Sequence, residues 1–354
     1  RGLVGSEMCI RDRYNIMESY GLHAIVVNPA HMKAVPGRKT DVKDAEWIAE
    51  LLQHGLLQPS YIPSKDQREL RELVQYRKSL VGERTRELNR LQKMLEGANI
   101  KLSGTVTNIN GKSARKILEY ILSGNEIDEK KYDEMYEEKL IAHNLKASKE
   151  QILDDLKGFM SPLQRRMLKE LLQHLDELNV HIENLNDEID NFMKPEEKQA
   201  SQVIQDVTGI GNTSAQTIIA VIGTDMERFP SDRHISSWAG LCPGDNVSAK
   251  KRKSGKIRKG NALLKSTLVL CAHAAVRHKS SYFHAQFKRI STHRGKKRAY
   301  VAVAHSILIA IYHILKDGVK YQDLGAEYYN QFNAERKIHA YLKKLKALGW
   351  EPPK

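Results

Sequence analysis

The sequence predicts a mostly α-helical protein that opens with a partial α/β domain. The short apolar run from His23 to Asn28, which Pro29 ends, indicates a buried strand. The segment from Thr40 to Leu52 follows with helical periodicity, and Thr40 or Asp41 is a suitable N-cap. Beyond residue 64, apolar residues recur at every third or fourth position, which is typical of amphipathic helices. A strand followed by a helix indicates the end of an α/β domain, and the remainder is expected to be helical.

Breakers and composition divide the chain into five segments. We expect the α/β part at 14–63, a helical and coiled-coil region at 64–194, a basic helical domain at 195–325 and a helical tail at 326–354. Residues 1–13, RGLVGSEMCIRDR, show no amphipathic periodicity and none of the features of a targeting signal. They resemble a translated sequencing adapter, the alternative being a disordered tail. On the first interpretation the native sequence resumes near Tyr14 and what preceded it is missing.

The helical region is expected to contain a long helical hairpin or coiled coil. Its second half carries apolar residues that step alternately by four and three, which is a heptad pattern: Leu171, Leu175, Leu178, Ile182, Leu185, Ile189 and Phe192. A similar period runs from Leu70 to Leu95, and shorter helices are expected over 103–149. This region indicates a spacer or a dimerisation element and no chemistry.

Charge sets the third segment apart. The chain carries a net charge of +14, yet no Asp or Glu lies between Asp245 and Asp317, where there are 17 Lys or Arg residues. Such a block predicts a polyanionic partner, bound through phosphates without sequence reading. The alternative is a disordered basic arm. The densest run holds seven bases in ten residues: Lys250, Lys251, Arg252, Lys253, Lys256, Arg258 and Lys259.

The cysteines and the apolar runs argue against several classes of protein. The three cysteines have no metal-like spacing, which argues against a zinc site or a disulfide framework and fits a reducing cytoplasm. No apolar run approaches the roughly 20 residues of a membrane helix. The most apolar stretch, from Tyr300 to Leu315, indicates a buried helix.

A glycine turn precedes the basic run. Two short helices are expected to flank Gly209-Ile210-Gly211. Glycines in a tight turn allow backbone N–H groups to approach a phosphate, and the next helix N-terminus adds a favourable dipole. This resembles a helix-hairpin-helix turn that binds DNA backbones, although any tight turn uses glycine.

Two sets of side chains could carry chemistry. Asp41 and Asp44 lie three residues apart and therefore on one helix face, where Mg²⁺ could relieve their repulsion; alternatively, Asp41 caps the helix and Asp44 pairs with a neighbouring base. Ser248 lies in a Gly/Pro-rich loop beside the basic run, where cations could lower the pKa of its hydroxyl. By composition Ser254 is an equal candidate, and most loop serines are ordinary turn residues.

Two long motifs carry a family resemblance. The run VVNPAHMKAVPGRKTDVKDAEWIAELL resembles the end of the RuvC-like, ribonuclease-H-like domain of DEDD insertion-sequence transposases, and SSWAGLCPGDNVSAKKRKSGKIRKGNALLK resembles their second domain. The resemblance implies that Asp41 and Asp44 are the last two of four Mg²⁺-binding acids. It also implies that Ser248 attacks DNA to form a phosphoserine, with Ser254 as the fallback. Partners implied are DNA, a guide called bridge RNA and further copies of the chain in a dimer or tetramer, in a bacterial, nucleoid-associated cytoplasmic setting without a membrane.

The family's first Asp and its Glu have no counterpart here. The Glu belongs to a Met-Glu-Ser-like motif far upstream of the acid pair, and Met17-Glu18-Ser19 lies only 23 residues before Asp41. Residues 14–20 fit the helix after that motif better. The chain is therefore expected to bind Mg²⁺ weakly and to lack strand exchange. Two alternatives stay open: a RuvC-like structure-specific nuclease using water, and a non-catalytic nucleic-acid-binding fragment.

Overall fold

Helices dominate the computed structural model, which describes residues 12–27, 41–57, 59–125, 127–141, 147–243, 246–248, 251–254, 257, 259–328 and 334–350. The chain divides into two compact units, 1–66 and 67–354. The predicted mostly α-helical class is confirmed.

The first unit contains helix α1 (12–19) and helix α2 (Asp41–Gln53). Helix α2 was predicted to within a residue; its cap candidate Thr40 lies outside the described residues. The predicted strand at His23–Asn28 is wrong in its described part, because 23–27 holds a single antiparallel bridge between Val27 and Pro59. Ser60 N donates to Val26 O at 2.7 Å, but Pro59 has no N–H to extend the ladder.

Two long helices, α3 (Lys65–Gly97) and α8 (Pro162–Phe192), pack antiparallel. Arg77 Nη1 donates to Asn186 Oδ1 at 3.0 Å, and one heptad further along α3, Arg84 Nη1 donates to Asn179 Oδ1 at 3.2 Å. Moving seven residues forward along α3 moves the hydrogen-bond partner seven residues backward along α8. The two helices are therefore antiparallel. The predicted helical hairpin is confirmed, and its seam lies within one chain.

The seam differs from the predicted heptad at both ends. Leu175, Leu178, Ile182, Leu185 and Ile189 are buried as predicted. At one end Leu172 is buried in place of Leu171, and at the other Met193 is buried in place of Phe192. A straight helix drifts from a strict 3.5-residue repeat, and at its end Met193 adopts an extended conformation that leaves the helix.

The far end of this hairpin is covered by four short helices: α4 (Leu102–Thr105), α5 (Lys112–Leu122), α6 (Glu129–Glu137) and α7 (Lys149–Asp155). They confirm the shorter helices expected in this region. Together with Leu91, Leu95, Leu168 and Leu175 they form one apolar core.

In the basic helical segment 195–325, a second apolar core surrounds helix α10 (Asn212–Ile222). Every residue from Ala215 to Ile222 is buried, as in a helix enclosed on all sides. The same core includes residues of α9 (Pro195–Ile204), which begins at the predicted breaker Pro195, and of α11 (Asp232–Trp238), α12 (Ala262–Ala275), α13 (Tyr282–Arg294) and α14 (Lys296–Asp317). Cys242 and Cys271 are not joined in a disulfide, and Cys9 lies outside the described residues.

Helix α14 contains the apolar stretch predicted to be a buried helix. Among the described helices it alone is long and apolar enough to cross a membrane. Val303, Ile307 and Ile311 are fully buried in the second core, and Tyr312 OH donates to Phe229 O at 3.0 Å. This packing is that of a core helix in a folded domain. The tail contains α15 (Ala334–Ala347), shorter than the helix expected after Glu327.

Candidate nucleic-acid interface and catalytic residues

The acid pair begins helix α2. Asp41 is its first residue and Asp44 its fourth, so the two lie about one turn apart in the first compact unit. A helix N-terminus favours negative charge because backbone N–H groups point out of it. Among the described residues, no group of three or more His, Cys, Asp or Glu side chains is placed to hold a metal ion.

Ser248 lies in a β-hairpin of the second unit. Strand β1 (Asn246–Ser248) pairs antiparallel with β2 (Lys251–Ser254), and Ser248 lies opposite Lys251. The prediction of a loop at Ser248 is therefore wrong: Ser248 is the last strand residue before the two-residue connection 249–250. Ser254 lies opposite Asn246 at the other end of the ladder. The two serine candidates thus occupy different ends of one element.

The base of the hairpin is fixed to the helical body. Helix α11 ends in a Schellman motif, in which Gly240 has φ +70° and its N–H donates to Ser237 O, while Leu241 N donates to Ser236 O. Pro243 forms a bridge with Ile257. A Cβ on Gly260 would lie 2.4 Å from Ala239 C, so only glycine allows the returning strand this close. The sequence alone did not indicate these roles of Gly240 and Gly260.

Three of the seven bases in the dense basic run lie in the described strands of this hairpin. Lys251, Arg252 and Lys253 form β2, and Lys259 is exposed where the chain leaves the hairpin. Lys250, Lys256 and Arg258 lie outside the described residues. The backbone of Lys251–Ser254 is a paired strand, in contrast to the disordered arm that was the alternative.

The glycine turn has the predicted helix–turn–helix form. Gly209 has φ +95°, and Gly211 is the N-cap of α10 with φ −100°. A Cβ on Gly209 would lie 2.5 Å from Cys271 O and 2.6 Å from Ala275 N, so packing on α12 requires this glycine. Gly211 is exposed and would meet nothing within 4 Å. Gly211 and the start of α10 are thus the parts of the turn open to a phosphate.

Two polar networks hold this turn. Asp323 Oδ2 accepts from Thr208 Oγ1 at 3.3 Å, immediately before Gly209. On the other side, Arg77 from α3 donates to Thr213 O at 3.0 Å and to Gln216 Oε1. Arg77 is 2% exposed, and burial lowers its pKa to about 10 although the negative charge of Asp190 acts in the opposite direction. In the sequence, Arg77 stands out only as a member of the helical period that runs from Leu70 to Leu95.

The glycine turn and the basic hairpin, both predicted to contact nucleic acid, are close in sequence but lie apart in the structure. The glycine turn packs against the C-terminal end of α12, whereas the hairpin returns to its N-terminal end, where Asn261 Oδ1 caps the helix by accepting from Leu264 N. At 1.5 Å per residue, roughly 15–20 Å of helix lies between them. A single phosphate cannot contact both, but a nucleic acid several base pairs long can.

Comparisons with known proteins agree over two separate parts of the chain. A family model for DEDD transposases of the IS110 type matches residues 8–100, beginning within the segment compared above with a sequencing adapter. A second, for transposases of the IS116/IS110/IS902 family, matches residues 201–288, which include the glycine turn and the hairpin.

Two relatives extend this similarity. The transposase for insertion sequence element IS1111A of Coxiella burnetii is 24% identical over 297 residues, covering 82% of this chain and 71% of the relative. The insertion element IS110 uncharacterized 43.6 kDa protein of Streptomyces coelicolor is 27% identical over 135 residues, which span 36% of this chain and 31% of that protein.

The two family models and the Coxiella burnetii relative place the chain in the class of DNA transposases that carry a DEDD domain. The chain belongs to the IS110/IS116/IS902 family of insertion-sequence transposases, and the predicted family and enzyme class are confirmed. The roles of individual residues stay predictions.

Proposed function

We propose that a transposase with all four of the family's acids cuts and rejoins DNA through Ser248, and that this chain, in which only Asp41 and Asp44 have counterparts, forms the serine adduct but lacks strand exchange. The observation that carries the proposal is the placement of Ser248 at the closed end of a hairpin whose second strand is Lys251-Arg-Lys-Ser254 and whose base is fixed to α11. Cations held near a scissile phosphate stabilise the charge that develops on it. A hydroxyl at the tip of a short, anchored element can reach a phosphodiester without moving the helical core.

The chemistry is a transesterification. The Oγ–P bond forms while the bond from phosphorus to the DNA 3′-oxygen breaks, and the serine proton ends on the released 3′-hydroxyl. A 3′-hydroxyl of another strand then attacks the phosphoserine and restores Ser248. No oxidant or energy donor is required, because one phosphodiester replaces another.

Asp41 and Asp44 complete the proposal as metal ligands. Two carboxylates one turn apart fit a hard cation such as Mg²⁺, which prefers oxygen ligands. When bound, the ion supplies Lewis-acid polarisation of the scissile phosphate. Asp41 and Asp44 belong to the first unit and Ser248 to the second, so a joint site requires their packing within a chain or between subunits.

Further partners follow from the family. A homo-oligomer would let one subunit's acids serve another's serine, and a bridge RNA would select the DNA. We propose that the hairpin cations Lys250, Lys251, Arg252, Lys253, Lys256, Arg258 and Lys259, with Gly209 and Gly211 at the glycine turn, contact nucleic-acid phosphates. This activity belongs in the nucleoid-containing cytoplasm of a bacterium.

A cleavage assay tests the proposal. The full chain is incubated with Mg²⁺ and labelled duplex DNA spanning an end of its own element, and products are resolved on denaturing gels. A protein–DNA adduct that Ser248→Ala abolishes and Ser254→Ala retains is the expected result. Cleavage without an adduct, unaffected by Ser248→Ala, would instead establish a RuvC-like nuclease using water. Salt-sensitive binding alone, unchanged by Asp41→Ala and Ser248→Ala, would establish a non-catalytic binder.

A further inference from the structure

A second cluster of cations lies where α13 meets α14, outside the hairpin and beyond the segment that the second family model matches. Arg294, Lys296, Lys297 and Arg298 flank Gly295, which has φ +80°. All four side chains are exposed, and none forms an ion pair with any described residue. We name residues 294–298 the α13–α14 corner.

Three of these cations lie where their charge destabilises the helix that carries them. Lys296, Lys297 and Arg298 are the first three residues of α14, where the aligned peptide dipoles place positive partial charge. Acids favour such a position, yet the first turn of α14 has none, and its N-cap Gly295 provides no side-chain acceptor. Helix stability therefore does not account for these residues. A bound anion would relieve their repulsion and accept hydrogen bonds from the free N–H groups of the first turn.

The corner is also held firmly. The ring of Tyr300, two residues beyond it, lies 3.6 Å from the His273 ring and 4.5 Å from the Phe287 ring, centroid to centroid. Ala299 is fully buried. This packing fixes the backbone from which the cationic side chains extend, which lowers the ordering cost of binding.

We infer that the α13–α14 corner is a second binding site for the phosphodiester backbone of nucleic acid. The inference rests on the proposed nucleic-acid function and adds a contact separate from the hairpin. Neighbouring Lys and Arg residues suit a linear polyanion, which neutralises several cations at once and releases its own counterions. The site therefore contributes affinity without reading sequence.

The test removes the three N-terminal cations together. The variant Lys296→Gln/Lys297→Gln/Arg298→Gln is compared with Lys93→Gln/Arg166→Gln/Lys169→Gln, which removes the same charge from exposed residues of the helical hairpin that have no ion pair with any described residue. Affinity is measured by anisotropy across a salt series. The probes are a labelled duplex DNA and a labelled RNA hairpin with equal numbers of phosphates.

For at least one probe, the corner variant should lose about tenfold in affinity at low salt. The slope of log K against log salt should become shallower by about two to three, since each phosphate contact contributes about 0.9 for duplex DNA. Its unfolding temperature should equal or exceed that of the parent, because the removed charges oppose the helix dipole. A loss of affinity for the DNA probe alone, or for the RNA probe alone, supports the site and identifies its ligand.

Equal affinities of the corner and control variants for both probes would overturn the inference. A loss accompanied by a lower unfolding temperature would overturn it as well, because the cations would then serve the fold. The hairpin variant Lys251→Gln/Arg252→Gln/Lys253→Gln is measured in parallel. If only the hairpin variant loses affinity, the corner site is rejected and the proposed hairpin contact is retained. If only the corner variant loses affinity, the corner site is retained and the proposed hairpin contact is rejected.

Discussion

At the scale of single residues, Asp323 joins three segments that are distant in sequence. Its Oδ1 accepts from Tyr282 N and Gly325 N, both at 2.8 Å, and its Oδ2 accepts from Thr208 Oγ1 and Tyr321 OH. Burial acts to raise the pKa of this carboxyl, but the hydrogen bonds outweigh it and the pKa of Asp323 is lowered. The ionised form therefore stabilises the support of the glycine turn.

Replacing Asp323 by Asn should destabilise the protein by about 1–2 kcal/mol at neutral pH, because the amide nitrogen cannot accept from Thr208 and Tyr321. A carboxyl whose pKa is depressed on folding contributes stability above its unfolded value, near 4, and loses it as pH falls through the lower folded value. The difference between parent and variant should therefore shrink below about pH 4. Urea unfolding at several pH values measures it, and a constant difference would contradict this account.

Arg77 shows what periodicity alone cannot predict. Its place in the apolar period of α3 indicated an inward position, and it is 2% exposed. Its partners Asn186, Thr213, Gln216 and Thr217 lie more than 100 residues away. A local pattern gives the face on which a residue lies, whereas the acceptors that make a buried guanidinium tolerable depend on tertiary packing.

At the scale of elements, helices were predictable and the hairpin was not. Helix α3 shows its period over 33 residues and α9 begins at a proline, both strong local signals. Strand β2 is Lys-Arg-Lys-Ser, without a β-branched or aromatic residue. The hairpin is instead imposed at its base by the Pro243–Ile257 bridge and the close approach of Gly260 to α11.

The two glycines of the turn should respond differently to substitution. Gly209→Ala should lower the free energy of unfolding by about 2–4 kcal/mol, because its Cβ would meet the α12 backbone and φ is positive. Gly211→Ala, with open space around it, should cost less than about 1 kcal/mol. Thermal unfolding of both variants measures this contrast. Equal effects would contradict the packing of Gly209 on α12.

At the scale of the whole molecule, one helical hairpin serves two cores. The beginning of α3 and the end of α8 contribute Leu70, Val74, Leu178 and Ile182 to the core of the basic part. The opposite ends contribute to the core of the short helices. The heptad pattern predicted that α8 pairs with another helix, but it could not say that the partner lies earlier in the same chain.

Leu178→Asp tests this intramolecular pairing. Leu178 is 4% exposed, so the variant buries an unpaired carboxylate and should lose more than about 3 kcal/mol of unfolding free energy. Val180→Asp, at a position 53% exposed on the same helix, should stay within about 0.5 kcal/mol. Sedimentation is the second readout, and neither folded variant should change mass. Folded Leu178→Asp subunits of lower mass than the parent would show that the seam joins two copies.

The identity of the nucleophile tests the account most directly. The chain is incubated with Mg²⁺ and DNA from an end of its element, digested with nuclease and protease, and analysed by fragmentation mass spectrometry. The account predicts a nucleotide joined through phosphate to Ser248, in the peptide between Leu241 and Lys250. A nucleotide on Ser254, or strand cleavage with no modified serine, would contradict it.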